Sequence, residues 1–369
     1  MKIDRIVSRF YILARIIIGC VNDTHNSIVI LIIHSLTKTI IIKNTTIYTV
    51  QTYQASDYKT WNDFIASAKN ATFLFHRDFM EYHSDRFTDH SLLLYKGSKL
   101  IAVLPANSVD QELYSHQGLP YGGLVLAPKV KLVDVIEGCQ VLLEYLYDQG
   151  ITTLHLKEVP SFYCQLPSEE MAYVLQLLQA NCTRVDTASV IDYRHRLAIQ
   201  SNRIEGVKKA KKQGLRIEET QDFTSFWNEI LLPNLTKRHN AKPTHTLDEI
   251  IQLTTKFPKN IRQFNVYKDD QIVAGATIFE TKTTAHVQYI SANEQKQELG
   301  ALDFLFSALI TDTFSGKGYF DFGISNEQQG QKLNKGLSYW KECFGARTHV
   351  HRFYEIETAN HHLLNDVWL

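Results

Sequence analysis

One succession of local signals occurs twice in this chain, and that repetition restricts its folds more than any single motif does. In the first copy, Trp61, Phe64, Ile65 and Ala68 recur at helical spacing, and Phe75 to His83 reads as a second short helix. Ser91 to Tyr95, a Lys96-Gly97-Ser98 turn and Lys99 to Pro105 predict a β-hairpin. The second copy places its hairpin at Phe264 to Tyr267, Lys268-Asp269-Asp270 and Gln271 to Glu280, with a third strand at Ala285 to Ala292. Each hairpin leads to a long amphipathic helix, Val135 to Asp148 and Ala301 to Ser315, that stops at glycine (Gly150; Gly316 and Gly318). A strand follows (Thr153 to Lys157; Tyr319 to Ile324), then a helix (Glu169 to Gln179; Leu333 to Phe344), then a last strand (Arg184 to Ile191; Arg347 to Ile356). Tyr95 and Tyr267, at the two turns, stand 172 residues apart. That separation suits a duplicated domain and exceeds the ~20–50 residues of solenoid repeats. The expectation is an α/β fold with mixed (α+β) sheets, in two pseudo-repeated domains over residues 49–200 and 201–369.

Residues 1–48 break this pattern. They are crowded with isoleucine, as in Ile16-Ile17-Ile18 and Ile40-Ile41-Ile42, but Arg15 and the stretch Asn22 to Asn26 interrupt them. No apolar run reaches the ~18 residues of a spanning helix. Lys2, Arg5 and Arg9 ahead of an apolar run ending near Gly19-Cys20 have the layout of a signal peptide, except that Arg15 lies inside the run. The segment is expected to be a peripheral extension, translated from upstream of the true start, with no stable membrane insertion. Lys plus Arg and Asp plus Glu number 39 each, so the clustered positive excess of a DNA grip or a polybasic anchor is missing. Five scattered cysteines without a CxxC pair give neither a disulfide framework nor zinc-finger spacing, and point to the reducing cytoplasm.

Four stretches carry a resemblance. They are Ser115-His116-Gln117-Gly118 through Tyr121-Gly122-Gly123-Leu124; Leu156-Lys157-Glu158-Val159-Pro160; the basic helix Arg203 to Gly214; and the pair Tyr319 to Ile324 with Gly336 to Gly345. The last pair is the most specific. Together they resemble the GNAT acyltransferase fold, and more closely the paired GNAT-like domains of Fem-type peptidoglycan aminoacyltransferases and their acetyltransferase relatives. Two departures stand out. The chain has no long coiled-coil arm, and Glu298-Leu299-Gly300-Ala301 lacks the full Arg/Gln-x-x-Gly-x-Gly/Ala loop of ordinary acetyl-CoA enzymes.

The resemblance implies acyl transfer to an amine, which requires a held donor, a stabilised carbonyl oxygen and a deprotonated nucleophile. In the second domain the splayed strand Ala285 to Ala292, which includes Ser291, would offer N–H groups to the acyl carbonyl. The helix start at Gly300 and Ala301 would face the diphosphate of a coenzyme A thioester. Lys341 sits on a helix whose stripe is Leu333, Leu337, Trp340 and Phe344, placed to reach a cleft and stabilise an oxyanion. Asp321 points opposite to Phe320 and Phe322, where it could accept the amine proton, bind an acceptor hydroxyl or cap a neighbouring helix. His286 and Tyr289, on opposite strand faces, are acid–base candidates. His116, Tyr121, Lys157 and Arg203 are the expected substrate-binding residues of the first domain and linker. His349-x-His351 lacks a completing Cys or carboxylate, so no metal is expected; no redox cofactor is implied.

The sequence therefore predicts a cytoplasmic acyltransferase moving an acyl group, most simply acetyl from acetyl-CoA or another acyl-CoA, onto a small-molecule amine or sugar-linked acceptor of a cell-envelope precursor. Two alternatives stay open: an aminoacyl-tRNA donor with the basic helix recruited to tRNA, and a non-catalytic binding protein on the same fold.

Overall fold

Two tight turns set the hairpins. Gly97 (φ +60°) and Asp269 (φ +52°) occupy the left-handed region, which glycine adopts without penalty and aspartate tolerates. They join Leu92–Lys96 to Lys99–Leu104 and Ile261–Lys268 to Gln271–Glu280. The computed structural model describes residues 48–239 and 241–369. Of the expected extension, residues 1–47 fall outside that range, and Tyr48 already belongs to the first strand, Tyr48–Thr52.

The first half builds a four-stranded sheet in the order Tyr48–Thr52, Leu92–Lys96, Lys99–Leu104, Val125–Leu126. The second half repeats it as Arg216–Thr220, Ile261–Lys268, Gln271–Glu280, Thr284–Ala292. This second set continues without a break through Tyr319–Ile324, Asn181–Asp192, Arg347–Glu357 and Thr153–Lys157, and then through three short strands, Glu112–Tyr114, Asn107–Val109 and Thr88–Asp89. The fold is thus mixed α/β around one large mixed sheet.

The order at the centre of that sheet shows an exchange. Asn181–Asp192, the last strand of the first half, pairs with Tyr319–Ile324 of the second, with Phe320 opposite Ile191 and Asp321 opposite Val190. Arg347–Glu357, the last strand of the second half, pairs with Thr153–Lys157 of the first, with Phe353 opposite Lys157. The two exchanged strands pair with each other, and His351 lies opposite Asp186.

The repeat is imperfect at one place. Thr284–His286 runs parallel to Tyr319–Asp321, as Glu112–Tyr114 runs parallel to Thr153–His155. In the first half, however, this third strand is divided, and residues 115–124 loop out between Glu112–Tyr114 and Val125–Leu126. The loop folds back so closely that a Cβ on Gly122 would lie 1.8 Å from the Ser115 carbonyl oxygen, so only glycine fits.

Three apolar clusters hold these layers. The Leu132–Asp148 helix buries Val135, Ile136, Cys139, Leu142, Leu143 and Leu146 against Leu154 and Leu156 of the neighbouring strand, the period-3.6 stripe meeting the period-2 face. Phe306, Phe320, Phe322 and Phe344 centre the second cluster. The third takes Trp61, Phe75 and Phe79 from the first half and Trp227, Ile250 and Phe279 from the second, so the halves share a core. Each fully buried aromatic of this kind contributes ~2–3 kcal/mol by transfer from water.

Three helices differ from expectation. The Phe75 to His83 segment is α-helical only at Arg77–Met80 and continues as a 3-10 turn at Glu81–His83. The Ala301–Ala308 α-helix passes into a wider π-turn at Leu309–Thr313, where Phe314 N–H reaches the Leu309 carbonyl (2.9 Å) and Leu309, Ile310 and Phe314 all stay buried. The Leu333 to Phe344 segment is helical only at Lys335–Glu342, because Lys332–Leu333 pairs with Asn326–Glu327 as a short hairpin. Leu333 and Leu337 are consequently exposed, and the packed part of the expected stripe is Trp340 and Phe344.

Candidate active site

The parallel pairing of Thr284–Ala292 with Tyr319–Ile324 ends at His286 opposite Asp321, and a cavity of about 500 Å3 lies beside that end. Asp321 is fully buried. Its Oδ2 accepts hydrogen bonds from Tyr163 Oη and His286 Nδ1, both at 2.7 Å, and its Oδ1 accepts from Gly323 N–H at 2.7 Å. Burial alone would push this carboxyl up, but the facing His286, its hydrogen bond, His351 and Tyr163 together hold it down at about 2. Asp321 is therefore a carboxylate, so His286 carries its hydrogen on Nδ1. Nε2, the other ring nitrogen of a residue that lines the cavity, is left as a base.

Lys341 is buried on the same cavity. It donates to the carbonyls of Gly323 (2.9 Å) and Ile324 (2.7 Å), just past the last strand pairing. An ammonium has three donors, so one remains for a substrate oxygen. Burial lowers its pKa to about 8, with Asp321 opposing, which leaves it about nine-tenths protonated at pH 7.

The first half supplies the remaining walls. Lys157 donates to three loop carbonyls, those of His116 (3.2 Å), Gln117 (3.2 Å) and Leu119 (2.7 Å). This holds Leu119 and Pro120 against the cavity. Burial, aided by nearby Arg184, brings Lys157 down to about 8. Arg184 grips Asp186 with two bonds (3.0 and 2.6 Å), and the buried His351 stands beside them on the cavity wall. Tyr163, Arg184 and Asp186 were not singled out from the sequence. The Arg184–Asp186 pair carries a signal, since i and i+2 share a strand face, whereas nothing local marks Tyr163.

The other predicted residues lie elsewhere. Tyr289 accepts from His245 N–H (3.0 Å) and meets His245 Nδ1 at 2.6 Å, packed on Trp227. Ser291 accepts from Asn234 Nδ2 (2.8 Å). Tyr121 is buried, donates to Thr72 Oγ1 (3.1 Å) and packs on Tyr163. His116 is buried and stacks on His83 with ring centroids 5.0 Å apart. Arg203 pairs with Asp303 at 2.9 Å. Gly300 (φ +68°) and the buried Ala301 begin their helix against the Ser201–Lys212 helix, where a Cβ on Gly300 would lie 2.3 Å from the Gly206 carbonyl oxygen.

No family model matches the sequence, and no curated protein matches it. Solved structures do resemble it. FemX superposes with a TM-score of 0.59 at 10% identity, over 86% of this chain and 99% of its own. The C-terminal domain assigned to a lysylphosphatidylglycerol synthetase from Agrobacterium fabrum gives 0.55 at 13% identity, over 84% and 94%. L-PGS from Bacillus licheniformis gives 0.53 at 12% identity, over 82% and 91%. Among the described residues no helix is long and apolar enough to cross a membrane. The chain has the GNAT/Fem-like fold that these three structures share.

Proposed function

We propose that this chain transfers an acyl or aminoacyl group from an activated ester or thioester to an amine in the cavity beside Asp321. The observation that carries this reading is the Tyr163–Asp321–His286 cluster at the point where the strands part, with Lys341 on the same cavity. His286 Nε2 takes a proton from the amine as its nitrogen bonds to the acyl carbon. The carbonyl oxygen, now negative, is met by the free donor of Lys341. When the tetrahedral adduct collapses, the bond to the leaving oxygen or sulfur breaks and His286 returns the proton to that atom. Asp321 holds the imidazole in the required tautomer, and Tyr163 holds Asp321.

Two donors fit the chemistry, an acyl-CoA thioester and an aminoacyl ester, and the packing around Gly300 supports the second reading. A coenzyme A diphosphate would seek the free N–H groups at the start of the Ala301–Ala308 helix, but the Ser201–Lys212 helix already rests there through Gly206, and Arg203 is paired with Asp303. An aminoacyl ester such as aminoacyl-tRNA needs no diphosphate seat at that position, and FemX and L-PGS share the fold. The acceptor reading is a small-molecule or sugar-linked amine of a cell-envelope precursor. Calorimetry on the full chain tests the donor: charged tRNA should bind saturably and acetyl-CoA should not, whereas micromolar acetyl-CoA binding would restore the thioester reading. In either case His286→Ala should abolish transfer while leaving donor binding within about twofold; retained transfer would remove His286 as the base.

A further inference from the structure

A second cavity of about 230 Å3 adjoins the first, and Leu119, Pro120 and Gln288 line both. The two differ in charge. The larger holds Lys157, Arg184, Asp186 and Lys341, whereas the lining of the smaller contains no Asp, Glu, Lys or Arg. Its walls are mainly Leu74, Phe79 and Phe279, with His245 as the buried polar group among them. Tyr289 Oη accepts from the His245 backbone N–H (3.0 Å) and meets the ring at Nδ1 (2.6 Å). With Nδ1 engaged there, Nε2 is the ring nitrogen left to meet a ligand. Burial keeps this ring neutral, with a pKa lowered to about 4.

We infer that this smaller chamber is a binding pocket for an uncharged, ring-sized apolar group bearing one hydrogen-bonding function, received by His245 Nε2. The reasoning is one of exclusion and fit. An ion entering a chamber without counter-charges forfeits its hydration with nothing to replace it. The volume falls below the ~300–1,000 Å3 of pockets that hold whole drug-sized ligands, so it suits one side chain or one ring. The ring nitrogen and the aromatic walls match a flat or branched group with one polar function to satisfy. Because the chamber shares Leu119, Pro120 and Gln288 with the transfer cavity, the group would be one part of a substrate whose reacting end lies beside His286. That placement rests on the transfer reading above. The source of the group is either the transferred acyl moiety or the acceptor, and both present the same chemistry to the chamber.

Benzamide is the probe, against its anionic and cationic isosteres benzoate and benzamidine, by ligand-observed NMR on the full chain. Benzamide should bind, with benzoate and benzamidine at least tenfold weaker. Thr244→Trp, at an exposed rim position, should cover the mouth and abolish binding without changing thermal unfolding. His245→Phe should weaken benzamide about tenfold by removing the ring nitrogen that meets it. Equal or tighter binding of either ion, or benzamide binding unaffected by Thr244→Trp, would overturn the proposal. In a transfer assay, benzamide competing with the donor assigns the chamber to the acyl moiety, and competing with the acceptor assigns it to the acceptor. Competition with neither rejects the substrate role. Absence of any transfer would sink the catalytic reading alone, because benzamide binding reports on the chamber independently.

Discussion

Replacing Asp321 with Asn probes the site without a substrate. The wild-type carboxylate accepts three hydrogen bonds, two at Oδ2 from Tyr163 and His286 and one at Oδ1 from Gly323 N–H. Asparagine offers one accepting oxygen and one donating NH2. With the NH2 turned toward Gly323, two buried donors face each other, at a cost of ~1–3 kcal/mol. With the oxygen kept on Gly323, the NH2 takes the place of Oδ2; the Tyr163 hydroxyl rotates to accept, and His286 Nδ1 becomes an acceptor. The second arrangement leaves only the Tyr163 hydroxyl hydrogen without its acceptor, against two opposed donors in the first, and should prevail. It moves the imidazole proton from Nδ1 to Nε2, so the base facing the cavity disappears. Charge-assisted hydrogen bonds become ordinary ones, which should lower unfolding free energy by ~1–2 kcal/mol. A comparable tautomer error in a serine-protease triad costs ~10,000-fold in rate, so a fall of ~100- to 10,000-fold in transfer is expected here. The assay is NMR of 15N-histidine-labelled protein. Wild type should show His286 protonated at Nδ1, and Asp321→Asn should show it protonated at Nε2. A wild-type proton on Nε2 at neutral pH, or an unchanged tautomer in the variant, would refute the reasoning.

Three further outcomes are expected. The stacked His83 and His116 are held neutral chiefly by burial, at about 4 and about 3. The unfolded chain therefore binds protons below pH ~6.5 that the folded one refuses, and the stability present above that pH is lost as pH falls, by ~2 kcal/mol per histidine at pH 5. Urea unfolding at pH 7 and pH 5 measures this, and a flat profile would contradict it. Lys341 acts as a cation with its pKa lowered to about 8, so transfer should decline as pH rises through about 8, and Lys341→Met should remove that alkaline limb along with most of the rate. Gly300→Ala should destabilise by ~1–3 kcal/mol from the left-handed backbone alone, with the Cβ 2.3 Å from Gly206 O adding to it. A change within ~0.5 kcal/mol in urea unfolding would show that the two helices do not meet there.

What was legible in the sequence is what has a period or a turn. The Trp61 helix, both hairpins and the strands Thr153–Lys157 and Tyr319–Ile324 follow from apolar spacing, Gly97 and Gly150. The exchange of last strands was not legible, because Asn181–Asp192 and Arg347–Glu357 present similar alternation and nothing local says which neighbour each will pair with. The site divides in the same manner. Asp321 is set apart from Phe320 and Phe322 by strand parity, and Lys341 by its motif. Their company, Tyr163 and the loop carbonyls that Lys157 gathers, arises from tertiary packing across the two halves. Gly300 reads as a helix start, but only the fold shows Gly206 lying over it.

The crossed strands also set a schedule for synthesis. Lys157 pairs with Phe353, and at ~5–20 residues per second the roughly 200 residues between them occupy a ribosome for about 10–40 s. Throughout that interval Thr153–Lys157 has its parallel neighbour Glu112–Tyr114 but lacks its antiparallel partner. Lys157, His351 and Phe353 all border the transfer cavity. The cavity is thus completed only after Phe353 has been made, so a chain released before that residue lacks part of the cavity wall.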